Sequence, residues 1–117
     1  MGQIILVEDN EPFHELLTLN ISTYIGAQVI ARKDAAEVTA LLSILPDIDA
    51  IICKSKIGAE PTAQIVLDYL RESLQEVVLI VVGEAPNHQE GELVNVPDSQ
   101  DWESVVKVCA KILGVTP

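Results

Sequence analysis

Short apolar runs alternate along this chain with stretches whose apolar residues recur three and four positions apart, and this alternation constrains the fold more than any other feature. The runs are Ile4-Ile5-Leu6-Val7, Ala27 to Ala31, Ala50-Ile51-Ile52-Cys53, Val77 to Val82 and Leu93 to Val96. The first, third and fourth are apolar at consecutive positions, as expected of strands covered on both faces. The second and fifth include Gln28 and Asn95 and read as edge strands. Four helical patterns lie between and after them. The first holds Phe13, Leu16, Leu17, Ile21 and Tyr24, with Pro12 in a favourable first-turn position. The second holds Val38, Leu41, Leu42 and Leu45, opened by Asp34 with Glu37 three residues on and closed before Pro46. The third, after Pro61, holds Ala63, Val66, Leu67 and Leu70. The fourth holds Trp102, Val105, Val106, Cys109 and Ile112, with Asp98 as the expected N-cap and Gly114 as the stop. Trp102 reads as packing.

The order β-α-β-α-β-α-β, a gap, then β-α predicts an α/β fold: a doubly wound parallel sheet with helices on both faces. The gap, Gly83 to Glu92, is ten residues long and rich in breakers. A parallel crossover needs about 10–12 residues, so this one holds one helical turn at best. A hairpin that makes the last strand antiparallel is the alternative.

Composition narrows the function. Eighteen acidic residues against seven basic ones give a net charge of −11, which argues against nucleic acid or an anionic membrane as direct partner. No apolar run approaches the ~20 residues of a membrane span, and the start lacks the charged region of a signal peptide, so a cytoplasmic protein is expected. Cys53 and Cys109 show no CxxC spacing and read as buried, free thiols. His14 and His88 have no partner at metal-ligand spacing, and no nucleophile–histidine–acid order emerges. No catalytic residue is expected.

In a doubly wound sheet, ligands bind beyond the carboxyl ends of the central strands. Here those positions are Glu8-Asp9-Asn10 after the first strand and Lys54-Ser55-Lys56 after the third. Nothing glycine-rich follows the first strand, which removes the dinucleotide fingerprint and the P-loop.

The stretch Ile4-Ile5-Leu6-Val7-Glu8-Asp9-Asn10-Glu11-Pro12 resembles the opening of response-regulator receiver domains, in which an acidic pair ends the first strand and binds Mg²⁺. The resemblance runs through the same order of elements to Val96-Pro97, where such domains carry Lys-Pro. It implies a single receiver-like domain over 1–117, which a longer protein could continue. It also implies a flavodoxin-like five-stranded parallel sheet of order 2-1-3-4-5, in which the short Gly83–Glu92 gap leaves the fourth helix shortened or absent.

The resemblance stops at the chemistry. The phosphoacceptor aspartate position falls on Lys54, the Ser/Thr position on Val82 (or Gly83, one residue on) and the lysine position on Val96. Only the acidic pair, Glu8 and Asp9, remains. Exchanging a carboxylate for an ammonium changes the local charge by two units and puts a cation where the metal would sit. Lys54 is therefore expected to pair with Glu8 or Asp9, with no cofactor and weak or absent Mg²⁺ binding. In the blander reading Glu8 and Asp9 complement a helix N-terminus, Lys54 and Lys56 are solvated, Asp49 is a turn residue, and Ser55 is no substitute acceptor.

These residues favour a pseudo-receiver: a phosphorylation-independent signalling domain acting through protein contacts. A phosphorelay receiver with an atypical acceptor and a flavodoxin-like small-ligand binder are the alternatives. With the fourth helix nearly erased, Val77–Val82 and Leu93–Val96 are expected to be under-covered, so that a protein partner or a homodimer docks at strands 4–5 and the last helix.

Overall fold

Consecutive aliphatic side chains can bury both faces of a strand only inside a layered sheet, and there the apolar runs lie. The computed structural model describes residues 2–115. Its strands are β1 (Gln3–Val7), β2 (Gln28–Ala31), β3 (Ala50–Lys54), β4 (Val78–Val82) and β5 (Val94–Val96), in the order β2-β1-β3-β4-β5. Every pairing is parallel, β4 with β5 included, so the last strand is not a hairpin partner. The helices are α1 (Glu11–Asn20), α2 (Ala35–Leu42), α3 (Thr62–Ser73) and α4 (Trp102–Leu113). Between β4 and β5 the expected helix is reduced to one turn, closed by the Glu92 N–H on the Gln89 carbonyl at 3.1 Å.

Alternate residues of each strand feed two separate cores. Ile5, Val7, Ile51, Cys53, Leu79 and Val81 pack toward α2 and α3, whereas Ile4, Leu6, Ile52, Ile80 and Val82 pack toward α1 and α4. Each of these side chains is at most 1% exposed. Burying one contributes about 1.5–3 kcal/mol before conformational entropy is subtracted. The polar edges read from Gln28 and Asn95 are the two sheet edges. Trp102 packs, partly buried, against the α1–α4 core.

Local chemistry sets the helix ends. Asn10 accepts the Phe13 N–H through its side chain at 3.1 Å, and Asp34 accepts that of Glu37 at 2.9 Å. Gly114 ends α4 at φ 70°, a conformation that costs glycine little.

Four expectations need correction. Asp101, not Asp98, caps α4: it takes both the N–H and the hydroxyl of Ser104, while Asp98 closes a separate turn onto Gln100. Leu45 lies beyond α2, which ends at Leu42 in turns back to the Leu41 carbonyl. The first helical pattern does not stay α-helical to Tyr24, because Ile21–Ile25 widens into a π-helical turn that closes on Gly26 at φ 76°. Finally, β4 is not under-covered. Leu79–Val82 are buried because α3 lies over one face, α4 covers the other, and Leu93 folds back onto the α3 side. Of these two strands, β5 is the exposed one, with Val94 37% exposed and Asn95 exposed beside it.

Candidate functional site

The site is built where β1 and β3 end side by side, Val7 beside Cys53. Beyond Val7 the chain turns at once into α1. That turn is fixed by the Asn10 cap and by the Asn10 N–H, which donates to Glu8 Oε2 at 2.8 Å. The turn folds the Glu8 carboxyl inward, leaving its side chain 3% exposed, while the Asp9 side chain stays 49% exposed. Lys54, the last residue of β3, reaches back between them. Its Nζ lies 2.7 Å from Asp9 Oδ1 and 3.3 Å from Glu8 Oε2.

Titration follows the contacts. The hydrogen bond to Asp9, helped by the charge of Glu8, raises Lys54 above the ordinary lysine range. The same bond lowers Asp9 below the ordinary carboxylate range. An ammonium so held has no lone pair with which to attack phosphorus. Mg²⁺ takes clustered oxygens in near-octahedral geometry. The group facing Glu8 and Asp9 is instead a cation, and among the described residues no cluster of three or more His, Cys, Asp or Glu could hold a metal.

Strand register aligns the other positions that the resemblance singles out. Lys54 pairs with Val82, and Val82 pairs with Val96, so all three stand in one row across β3, β4 and β5. Val82 is 1% and Val96 4% exposed, both within the α1–α4 core. The row thus holds one paired cation and two sealed aliphatic groups. Ser55 sits beside it, but its hydroxyl donates to the Glu84 carbonyl and its N–H to that of Val82. Two clefts flank the site, about 330 Å³ beside Glu8, His14 and Arg32 and about 230 Å³ beside Ser55, Lys56 and Glu84. Neither is lined by Asp9 or Lys54.

The remaining candidates lie apart. Lys56 and His88 are exposed, and His14 is half-buried. Asp49 does more than turn the chain, since its carboxyl accepts the Gln3 N–H at 2.8 Å and ties the start of β3 to β1. Cys53 and Cys109 are free and buried, and burial pushes each thiol up to about 12.

Sequence reasoning missed Glu60. Its Oε1 accepts the Ala35 N–H at the start of α2 at 3.0 Å and the hydroxyl of fully buried Thr62 at 2.9 Å. This joins the loop before α3 to a helix 25 residues earlier. No local signal announces it, because the pairing exists only once α2 and α3 pack side by side.

No family model matches the sequence, and no curated protein matches it. Solved structures do match in shape. The receiver domain of the hybrid histidine kinase CckA superimposes with a TM-score of 0.75 at 17% identity, over 96% of this chain and 99% of its own. A response-regulator receiver domain protein from Bacillus halodurans gives 0.76 at 17% identity, covering 99% of this chain and 97% of its own. The beryllofluoride-activated NtrC receiver domain gives 0.73 at 14%, covering 97% and 94%. Strand order, parallel pairing and near-complete mutual coverage agree, and the chain carries the receiver-domain fold.

Proposed function

We propose that this chain is a non-enzymatic signalling domain of receiver fold that works through protein contacts and does not accept a phosphoryl group. One observation carries the reading: the Lys54 ammonium occupies the end of β3 and is held by both acids that would otherwise gather a divalent ion. Two further features support it. The row continues from Lys54 into Val82 and Val96, which offer neither hydroxyl nor amine, and the Ser55 hydroxyl is committed to a backbone carbonyl. The charge of −11 disfavours nucleic acid, and among the described residues no helix is long and apolar enough to cross a membrane.

The test is incubation of the intact chain with a small-molecule phosphodonor and Mg²⁺, followed by intact mass. No added phosphate is expected. A single added phosphate on the native protein that disappears in Asp9→Asn would overturn the proposal.

A further inference from the structure

Helix α1 is apolar on two sides, and only one of them is covered. Phe13, Leu17 and Ile21 pack into the core shared with α4. Leu16, Leu19 and Tyr24 stand at i, i+3 and i+8, the spacing of a single helical face, and are 40%, 64% and 68% exposed. Exposed Thr23, at i+7, completes the stripe. The π turn over Ile21–Ile25 is closed by the Gly26 N–H on the Ile21 carbonyl at 3.0 Å. Such a turn advances less around the axis per residue than an α turn, which brings Tyr24 back toward the side of Leu16. A solvated helix face ordinarily carries charge. Yet none of the sixteen residues from Leu16 to Ala31 is charged, the longest such run in a chain of net charge −11. The other strongly exposed aliphatics differ in this respect, since Ile44 and Leu74 stand close to Asp47, Glu72 and Glu76 in sequence. The surface beside β4 and β5 is spanned by its own ion pair, Arg71 of α3 holding Glu92 of the crossover at 2.6 and 2.7 Å.

We infer that the face of α1 formed by Leu16, Leu19, Thr23 and Tyr24 docks a second copy of this chain, the two helices packing antiparallel about a two-fold axis near Leu19. The occupant follows from charge. Two copies of −11 each repel, so they can meet closely only where neither presents acids to the other. Among the described residues this is the exposed apolar stripe that meets the condition. The antiparallel sense follows from where the acids of α1 stand. Glu11 and Glu15 precede the stripe. Parallel helices would set each acid against its own copy, whereas antiparallel ones set Glu15 against the uncharged Thr23 of the other helix. A strongly charged partner would gain nothing from a face that offers no charge in return. A two-fold contact of this kind uses the same patch on both copies and closes at the dimer. The contact rests on the reading of the chain as a protein-contact domain and gives that reading a surface.

The experiment is sedimentation equilibrium of the full chain from micromolar to millimolar concentration, at low and at high salt. The mean mass should rise with concentration from 12.7 kDa toward twice that value. Added salt should tighten the dimer severalfold, because it screens the repulsion between two acidic copies while no ion pair crosses the interface. Leu19→Glu, at an exposed position that leaves the core alone, should weaken the dimer about tenfold or more, and Tyr24→Ser severalfold. Leu74→Glu places the same new charge on the exposed end of α3 and should leave the dimer within about twofold of native. A monomer at every concentration, a dimer that survives Leu19→Glu, one lost equally in Leu74→Glu, or one that salt dissolves would each overturn the inference. A chain that stays monomeric and also takes no phosphate in the mass measurement would remove the dimer and leave the proposed function standing.

Discussion

Replacing Lys54 by Met tests the site most directly, because it removes the charge and keeps an unbranched chain of similar length. The two acids should not contribute equally. Asp9 makes the shorter contact, 2.7 Å against 3.3 Å for Glu8, and its hydrogen bond is the first cause of the raised Lys54 titration. Raw Coulomb energy at these separations is about 5–6 kcal/mol at an effective dielectric near 20, but only about 1.3–1.5 kcal/mol at the value for water. With half its surface in solvent, Asp9 lies nearer the water limit and returns to water once the amine is gone. Its coupling to Lys54 should be below about 1 kcal/mol. Glu8 is nearly enclosed, and after substitution its carboxylate keeps, among the described residues, the Asn10 N–H alone. Leaving it unpaired should cost about 1–2 kcal/mol, so the enclosed acid outweighs the closer one. Urea unfolding of Lys54→Met, Glu8→Gln, Asp9→Asn and the two doubles gives both couplings. The pH dependence has a definite sign. Asp9 titrates below its ordinary 3.8, so its share of stability is present above that pH and is lost as pH falls through the lower folded value. Lys54 titrates above its ordinary 10.5, so its share is complete below that pH and is lost as pH rises through the higher folded value. The difference between native and Lys54→Met should therefore be flat between these limits. A Lys54→Met protein as stable as native at neutral pH, or a larger coupling to Asp9 than to Glu8, would refute this account.

Lys54→Asp should create a three-carboxylate cluster and raise Mg²⁺ affinity, measured by calorimetric titration, well above the native level. Sub-millimolar binding by the native chain would contradict the filled site. Thr62→Val and Glu60→Ala should each lower unfolding free energy by about 1–2 kcal/mol, because the first removes a hydroxyl that serves Glu60 and the second takes the acceptor from the Ala35 N–H and leaves the hydroxyl only the backbone carbonyl of residue 60, at 3.3 Å. Arg71→Met should speed amide exchange at Gln89, whose N–H is held by Glu92 at 2.7 Å, while leaving exchange in β4 unchanged. The Arg71 contact lowers Glu92 to about 2, so native protein should keep that protection down to acid pH and lose it as pH falls through this value. Cys53 and Cys109 should resist a thiol reagent in native buffer and react only on unfolding.

The sheet was legible because its evidence is local. Ile4–Val7 and Val78–Val82 are apolar at every position, a pattern that only a strand with two covered faces can use, and the order of elements then leaves few topologies. The meeting of Lys54 with Glu8 and Asp9 was legible for a different reason. In parallel strands of fixed order, residues just past the carboxyl ends share one rim, and opposite charges there find each other. What stayed hidden was tertiary. The parallel sense of β5 could not be read from a crossover near the minimum length. Glu60 reaches α2 only through packing, and the clamp of Arg71 on Glu92 spans 21 residues of sequence. The expected exposure of β4 failed because one absent helix uncovers the sheet edge, not the strand beside it, as long as α3 and α4 still lie on both faces.

The three row positions differ in how readily chemistry could be put back. Lys54 is partly exposed, at the rim, so exchanging its head group changes electrostatics without disturbing a core. Val82 and Val96 are sealed among Ile80, Val105 and Cys109. A threonine at Val82 would bury a hydroxyl there, at a cost of about 1–3 kcal/mol unless a carbonyl accepts from it. A lysine at Val96 would need the core to open or the long chain to find a route out. The substitution that restores a carboxylate is therefore the cheap one, and the two that would give a bound ion or phosphate something to act on are the expensive ones. Lys54→Asp should then bind Mg²⁺ while the amide spectra of β4 and β5 remain those of the metal-free protein, because neither Val82 nor Val96 has a polar atom with which to respond. Shifts spreading along Val94–Val96 on Mg²⁺ addition would show that the row communicates without hydroxyl or amine, and the inertness argued from its side chains would fail.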